Sequence, residues 1–177
     1  FAVTGEASRT YRPEGYSAAE VFGTPTAALP GGAAATAAFT YEYGGTVFTE
    51  EQFRQNLVFT PVGQHTVTVR YEDDQYIGSA SATFTIVKAD QEPLVLTSTG
   101  PAVYGEPYPL TTSGGSSGGD VTFTVTNGTG SAELSGSTLI PTKAGTVTVT
   151  AAMAGDLNYN DVTSAPVEIT IGKAQYT

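Results

Sequence analysis

Two copies of one ordered set of sequence features, about 85 residues apart, dominate this chain. Residues 82–89 and 167–174 are strand-like runs of alternating side chains that both end in Lys-Ala. Thr-Val-Thr-Val stands upstream of each run, at 66–69 and at 146–149. In both copies a glycine precedes this motif, and an acidic loop with a tyrosine follows it. A period of this length is that of a whole domain rather than of a solenoid repeat, so the sequence predicts a duplicated domain.

The repeat sets the domain boundaries. We place the first module at residues 1–88 and the second at 89–173, and residues 174–177 begin a following segment. No Gly/Ser-rich or Pro-rich tether joins the two modules, so we expect a short linker that restricts bending. The Gly/Ser-rich run at 113–119 has the composition of a linker, but it lies inside the second copy. We interpret it as a mobile loop between two strands.

Alternation with a period of two indicates strands with one buried face. In residues 121–125, Val and Phe alternate with Thr, and the 146–150 and 84–87 runs follow the same rule. Gly-rich turns separate many such short runs, as in a β-sandwich. Helix is predicted only at 49–55, where Thr49 and Gln52 have the spacing of a capping box.

The inward-facing positions of these runs give the predicted core. Ten Tyr and eight Phe in patterned runs indicate a folded chain, because disordered chains lack such residues. The predicted core of the first module is Phe39, Val67, Val69, Phe84 and Ile86. That of the second module is Val121, Phe123, Val147, Val149, Ile169 and Ile171.

The charge and composition of the chain exclude several function classes. The net charge is −10, and only seven Lys and Arg are present, so no basic surface for nucleic acid can form. Anionic membrane surfaces are disfavoured by the same sign of charge. There are no cysteines for disulfides, thiolate chemistry or Cys-ligated metals. No segment has the ~18 apolar residues of a membrane span.

The second module carries a specific string of motifs. It has Val-Tyr-Gly-Glu at 103–106, Lys-Ala-Gly-Thr-Val-Thr-Val at 143–149, Gly-Asp-Leu-Asn-Tyr-Asn at 155–160 and Ile-Thr-Ile-Gly-Lys-Ala at 169–174. This string resembles the tandem bacterial Ig-like repeats (Big/MBG type) of secreted and cell-surface proteins. The second half of the first module is similar, whereas residues 11–32 depart from the pattern. The resemblance implies an all-β fold of two tandem immunoglobulin-like β-sandwich domains with little helix, and it brings no catalytic residues.

The residues that could carry chemistry are few. His65 is the only histidine, and we interpret it as a half-exposed strand residue rather than a member of a catalytic triad or a zinc site. Glu50 and Glu51 lie side by side at a predicted helix start, without the cleft that paired catalytic acids need. Two acidic loops are candidates for calcium, namely Glu72, Asp73 and Asp74 in the first module and residues 156–161 in the second. Turn hydrogen bonding is the stronger interpretation of both.

Two further alternatives stay open. Lys143, the only lysine within a module body, is a candidate for an isopeptide cross-link. Sugar stacking is an alternative for the tyrosines, although tyrosines of sandwiches commonly pack at strand ends. These tyrosines are Tyr11, Tyr16, Tyr41, Tyr43, Tyr71, Tyr104 and Tyr108. We therefore assign no catalytic, cofactor-binding or metal-binding residue and expect no cofactor.

From these observations we expect a structural module rather than an enzyme. The chain opens at Phe1 within strand-like sequence, so we expect a segment of a longer extracellular or cell-surface protein. The expected function is that of a non-catalytic spacer or stalk, monomeric, whose partners are neighbouring repeats of the same chain. The alternatives are an adhesin-like module that binds a host protein or glycan, and an accessory domain of an extracellular enzyme. Nucleic acid and membrane insertion are not expected.

Overall fold

The chain folds into two compact units, Phe1–Ala89 and Asp90–Thr177, in a computed structural model that describes all 177 residues. Strands make up nearly all of the regular structure, and the two units are immunoglobulin-like β-sandwich domains in tandem. The prediction of an all-β chain with little helix is confirmed. The longest helix has seven residues, and no helix could cross a bilayer.

The first unit has seven strands, two short helices and one 3₁₀ turn at Pro30–Gly32. Its strands are β1 (Ser8–Thr10), β2 (Tyr16–Ser17), β3 (Thr40–Tyr43), β4 (Thr46–Thr49), β5 (Val58–Phe59), β6 (Gly63–Glu72) and β7 (Ile77–Val87). Its helices are α1 (Ala18–Val21) and α2 (Glu50–Asn56).

The first unit packs a five-stranded sheet against a smaller mixed layer. The sheet has the order β1-β7-β6-β3-β4, and the antiparallel β6–β7 pair runs from Gly63↔Ile86 to Glu72↔Ile77. Strands β2 and β5 pair with each other, and together with α1 and α2 they supply the side chains that face the sheet. The largest fully buried side chains of this core are Tyr41, Phe53, Phe59, Phe84, Ile86, Val21, Val67 and Val69.

Both helices of the first unit begin with a capping box. At α2, Gln52 N–H donates to the Thr49 hydroxyl at 3.3 Å, and Thr49 N–H donates to Gln52 Oε1 at 3.0 Å, as predicted. Helix α1 was not predicted. Its start shows the same spacing, since the Glu20 carboxylate accepts from Ser17 N–H at 2.7 Å. A four-residue helix offers no 3.6-residue periodicity, so only the Ser17–Glu20 spacing could have indicated it.

The second unit has ten strands and no helix. They are β8 (Val95–Leu96), β9 (Ala102–Val103), β10 (Tyr108–Pro109), β11 (Thr112–Ser113), β12 (Val121–Asn127), β13 (Ser131–Ser135), β14 (Thr138–Lys143), β15 (Gly145–Met153), β16 (Val162–Thr163) and β17 (Val167–Gly172). One sheet has the order β12-β15-β17-β9, with β16 also pairing to β15. The facing layer consists of β10-β14-β13 and the β8–β11 pair.

The predicted core residues on central strands are fully buried. They are Val67, Val69, Phe84, Ile86, Val147, Val149, Ile169 and Ile171. Three predicted core residues are only partly buried, namely Phe39, Val121 and Phe123. Phe39 precedes β3, and the other two lie on β12 at the edge of its sheet, where a neighbouring strand is missing on one side. The alternation identified the face correctly, but it does not distinguish central strands from edge strands.

In the first unit the chain enters at one end and leaves at the other. Phe1 lines the same depression as Ile77 and Gly78, the first two residues of β7. Strand β7 then spans eleven residues, about 35 Å at ~3.3 Å per residue, to Val87, where the chain leaves the unit. Strand β1 runs parallel to β7, with Ser8 opposite Thr85.

The second unit is threaded in the same way. The Gln91 side-chain amide donates to Asn160 O at 2.8 Å and to Met153 O at 3.4 Å, at the last residue of β15. The chain leaves through β17, where Ile171 pairs with Gly145, the first residue of β15. Strand β9 runs parallel to β17. We call the two ends of each unit its upstream end, where the chain enters, and its downstream end, where it leaves.

The glycines that open β6 and β15 make a matched pair for a stability test. Gly63 has φ 134° and Gly145 has φ 137°, a region that costs a side chain about 1–3 kcal/mol. A Cβ at Gly63 would meet no atom within 4 Å, whereas one at Gly145 would overlap the backbone of Thr129 and Gly130. Gly145→Ala should therefore destabilise its unit by about 2 kcal/mol more than Gly63→Ala destabilises its own.

Urea unfolding of the full chain, followed by amide resonances assigned to each unit, measures both losses. Equal losses at the two positions would contradict the close approach of the Thr129–Gly130 backbone to Gly145.

Candidate functional site

His65 is buried, with 5 % of its surface exposed, and the expectation of a half-exposed histidine was wrong. It lies on the inward face of β6 with Val67 and Val69, as the alternation requires. His65 Nε2 is 2.8 Å from Pro61 O, and Nδ1 is 2.7 Å from the Tyr43 hydroxyl oxygen. A carbonyl only accepts, so Nε2 donates to Pro61 O, and Nδ1 and the Tyr43 hydroxyl share the second hydrogen bond.

The surroundings of His65 show why a polar ring is tolerated in the core. Phe59 and Phe84 lie at ring-centroid distances of 5.2 and 6.3 Å from it. Burial raises the pKa of the Tyr43 hydroxyl, so this partner stays protonated. Neither ring nitrogen bonds to a carboxylate or a serine. The histidine joins β6 to the 59–61 segment within the apolar core.

The acidic loop of the first unit forms a hydrogen-bonded turn. Asp73 Oδ1 accepts from Gln75 N–H at 2.8 Å and from Tyr76 N–H at 2.7 Å. Asp73 Oδ2 accepts from the Tyr71 hydroxyl at 2.5 Å, which is the main cause of a lowered Asp73 pKa. Asp73 N–H donates in turn to Tyr76 O at 2.9 Å. The interpretation of this loop as a hydrogen-bonded turn is confirmed.

The second unit has the same turn. Asp156 Oδ1 accepts from Asn158 N–H at 2.7 Å and from Tyr159 N–H at 2.8 Å, and Asp156 N–H donates to Tyr159 O. Asp161 Oδ1 accepts from Gly155 N–H at 2.6 Å. These carboxylates therefore already accept hydrogen bonds from backbone N–H groups. The chain contains no cluster of three or more His, Asp or Glu side chains that could hold a metal ion.

The Tyr71 hydroxyl connects the acidic turn to the long 33–39 segment of the first unit. Besides donating to Asp73, it accepts from Thr36 N–H at 2.9 Å and from Ala37 N–H at 3.3 Å. A depression of about 490 Å³ lies between the segment and the turn, lined by Thr36, Asp73 and neighbouring residues. This geometry gives the upstream end of the first unit a concave, partly acidic surface.

An apolar depression adjoins it. Its volume is about 220 Å³, and Phe1, Leu29, Pro30, Tyr76 and Ile77 are among the residues that line it. Ile77 is 80 % exposed, unusual for a large aliphatic side chain. Sequence reasoning missed this surface, because Leu29 and Ile77 are 48 positions apart and no local pattern indicates that they meet.

The Gly/Ser-rich run at 113–119 begins at the last residue of β11 and continues as the loop to β12, and hydrogen bonds hold this loop in place. Gln91 Oε1 accepts from Ser116 N–H at 2.9 Å and from Ser117 N–H at 3.0 Å. The Ser117 hydroxyl donates to Ala154 O at 2.6 Å. The buried Gln91 side chain therefore holds this loop and the 153–160 segment together. The expectation of a mobile loop was wrong. Composition alone carries no information about a hydrogen-bonding partner 25 residues away.

The remaining candidate residues are dispersed. Glu50 and Glu51 lie in the first turn of α2, and Glu50 pairs with Arg54 at 3.1 Å. Lys143 is exposed and lines a depression of about 410 Å³ with Lys173 and Tyr104, but no asparagine or aspartate lines it. The candidate tyrosines divide by burial: Tyr16, Tyr41 and Tyr71 are buried, Tyr11, Tyr43 and Tyr108 are partly buried, and only Tyr104, at 49 %, is exposed.

Carboxylates of the first unit make its stability sensitive to acid. The pKa of Glu20 is lowered from 4.5 to about 2, first by the Arg12 guanidinium and then by the N–H and hydroxyl of Ser17. Arg9 lowers the pKa of Glu6 in the same way. A group with a lowered pKa in the folded state stabilises the fold above its unfolded pKa, and that contribution is lost as the pH falls towards the folded value.

The stability of the first unit should therefore fall between about pH 4.5 and pH 2. Glu20→Gln should lower that stability at pH 6 and should have a much smaller effect near pH 2, where about half of the wild-type carboxyl is protonated. Urea titrations monitored by amide resonances of the first unit measure this difference. The control is Glu51→Gln, at an exposed glutamate of the same unit that pairs with no cation. A pH-independent effect of Glu20→Gln would refute the assignment.

No protein-family model matches the chain, and no curated protein matches its sequence. Among solved structures, it is similar to human protocadherin-24 EC1-2, at 13 % identity and a TM-score of 0.40, over 100 % of this chain and 99 % of that one. It is similar to Drosophila N-cadherin EC1-4, at 10 % identity and a TM-score of 0.39, over 97 % of this chain and 51 % of that one. It is also similar to an endo-fucoidan hydrolase of glycoside hydrolase family 107, at 14 % identity and a TM-score of 0.28, over 78 % of this chain and 24 % of that one. Similarities at this level carry no inference about function.

Proposed function

We propose that this chain is a non-catalytic spacer module of a larger bacterial surface or secreted protein. The observation that carries the proposal is the threading of each unit from one end to the other. In each unit the chain enters beside one end of a long central strand and leaves at the far end of the same sheet. A unit threaded in this way adds its own length to a chain of units, whereas a unit with adjacent ends would add almost none.

Parallel pairing at the downstream end of each unit suits a module that bears load. Tyr11 N–H donates to Val87 O at 2.8 Å, at the end of the β1–β7 pair. Tyr104 N–H donates to Gly172 O at 2.9 Å, at the end of the β9–β17 pair. When the two ends of a unit are pulled apart, paired parallel strands are loaded along their length. Their hydrogen bonds then resist together instead of opening one after another.

The location of the charges fits an exposed role. The net charge of −10 is spread over a surface with few lysines and arginines, and such self-repulsion keeps a protein soluble. The candidate acids accept hydrogen bonds in turns or lie in the first turn of a helix. The histidine is hydrogen-bonded within the core. These features support our proposal of a module that lies outside the cytoplasm, has neighbouring repeats as its partners and carries out no reaction of its own.

Single-molecule pulling on the full chain, held at its two ends, tests the spacer function. We expect two unfolding events that each release roughly 250–300 Å, which is the extended length of nearly 90 residues at ~3.3–3.6 Å each minus the roughly 35 Å that the folded unit already spans. Tyr104→Pro removes the N–H that donates to Gly172 and should lower the unfolding force of the second unit only. The control, Tyr104→Phe, keeps the N–H and should behave as wild type.

A single event, or a force that Tyr104→Pro leaves unchanged, would contradict the load-bearing role of the β9–β17 pair.

An adhesion-type binding role is the second candidate, and one observation favours it. The upstream end of the first unit combines the exposed Ile77 with two adjoining depressions, one partly acidic and one apolar. Binding sites commonly pair an apolar surface with a few polar groups in this way. Glycan arrays and pull-downs with the wild type and with Ile77→Ser separate the two functions. Capture that Ile77→Ser abolishes would favour adhesion, and absence of capture would favour the spacer.

A further inference from the structure

Strand β12 is an unprotected sheet edge. It pairs with β15 on one side, from Val121↔Met153 to Asn127↔Val147, and with no strand on the other. Its sequence, Val-Thr-Phe-Thr-Val-Thr-Asn, contains no charge, proline or glycine. Natural edge strands are usually short, charged, bulged or interrupted by proline, because their free N–H and C=O groups invite another strand. The unprotected edge of β12 therefore needs an explanation.

The other sheet edges of this chain carry such protection. Strand β13 has Glu133 at its centre and a register irregularity at Ser131. Strands β1 and β9 have three and two residues, and β10 contains Pro109. Strand β4 has only four residues. The seven residues of β12 make it the longest edge strand and one with none of these protective features.

The apolar residues of β12 are incompletely covered. Val121, Phe123 and Val125 face the core of the second unit, and all three are only partly buried. Another strand placed against β12 would cover their exposed sides and satisfy the outward N–H and C=O groups at the same time. The edge thus offers both apolar surface and backbone hydrogen bonds.

The sequence of β12 is complementary to a second copy of the same strand. Residues 121–125 read Val-Thr-Phe-Thr-Val, the same in both directions about Phe123. In an antiparallel pair of two copies centred on Phe123, the two phenylalanines face each other, Thr122 faces Thr124 of the other copy, and Val121 faces Val125 of the other copy. Facing residues lie on the same side of a sheet, so apolar residues meet apolar residues towards the core, and threonines meet threonines on the outer face.

We propose that β12 is the interface of a two-fold dimer, in which the β12 strands of two copies pair antiparallel about Phe123 and join two sheets into one. A two-fold interface requires a surface that is complementary to itself, and this strand has that property in its sequence. The nearest charge does not oppose the pairing, because Asp120 would face Thr126 of the other copy. The proposal goes beyond the spacer function, since it associates chains side by side, and it replaces the expectation of a monomer.

The long-range electrostatics predict how the dimer responds to salt. Each copy carries a net charge of −10, so two copies repel each other. Salt screens this repulsion over a Debye length of ~10 Å at 0.1 M, while the hydrogen-bonded strand contact is screened little. The dimer should therefore tighten as the salt concentration rises from low values, the opposite of an interface held by surface ion pairs.

Charged variants on the exposed outer face of β12 test the pairing and its register in the full chain. Thr122→Lys with Thr124→Lys places two like charges opposite each other on both sides of Phe123. Thr122→Lys with Thr124→Glu places opposite charges at the same positions. Sedimentation equilibrium over a range of concentrations measures the dimer, and circular dichroism confirms the fold of each variant.

The proposal predicts a concentration-dependent dimer for the wild type. The Lys/Lys variant should weaken it about tenfold or more, and the Lys/Glu variant should restore it to wild-type strength or better, since facing charges stabilise or destabilise cross-strand pairs according to sign. A wild-type chain that stays monomeric at all concentrations would overturn the proposal. Equal effects of the two variants would overturn it as well, because they would place the contact elsewhere or in another register.

Discussion

The structure depends on a pair of long strands in each unit whose inner faces are apolar and whose outer faces are polar. In the first unit these strands are β6 and β7, and in the second they are β15 and β17. Because the side-chain period is two, a one-residue slip of this pairing would turn Val67, Val69 and Phe84 from the core face to the solvent face. Once that pair is fixed, the acidic turn lies at one end of each sheet and the Lys-Ala segment at the other. The threading of the chain through each unit follows from the same pairing.

The two units reach a similar central sheet with different facing layers. The second unit uses strands, with Leu139 as the largest fully buried residue of that layer. The first unit uses a strand pair and two short helices, so that Phe53 of α2 stacks on Tyr41 of β3 at 4.4 Å. The shared features are those of the sheet itself: an Asp turn, a glycine with φ near 135°, and a parallel strand at the downstream end. These shared details agree with a duplicated domain, whose first copy has diverged in its N-terminal half.

The sequence allowed the strands to be predicted where a local pattern controls them. Alternation identified the buried faces of β6, β7, β15 and β17, and the Thr49–Gln52 spacing identified α2. The position of His65 could have been inferred from the same alternation, but its partners could not, because Tyr43 and Pro61 reach it through the fold. The surface at the upstream end of the first unit depends in the same way on long-range contacts, such as Tyr71 to Thr36. Interactions across strands carry no sequence period, so the core residues of the long central strands were predictable, whereas Tyr41, Phe53 and Phe59 of the core and the surface sites were not.

The central claim is that each unit has its own core and folds without the other. Calorimetry of residues 1–89 and of residues 90–177, expressed separately, tests it most directly. The account predicts a single cooperative transition for each piece, with van't Hoff and calorimetric enthalpies that agree. It also predicts that the enthalpies of the two pieces sum to that of the full chain. A piece that lacks a cooperative transition while the full chain shows one would contradict the claim, because its core would then depend on the other unit.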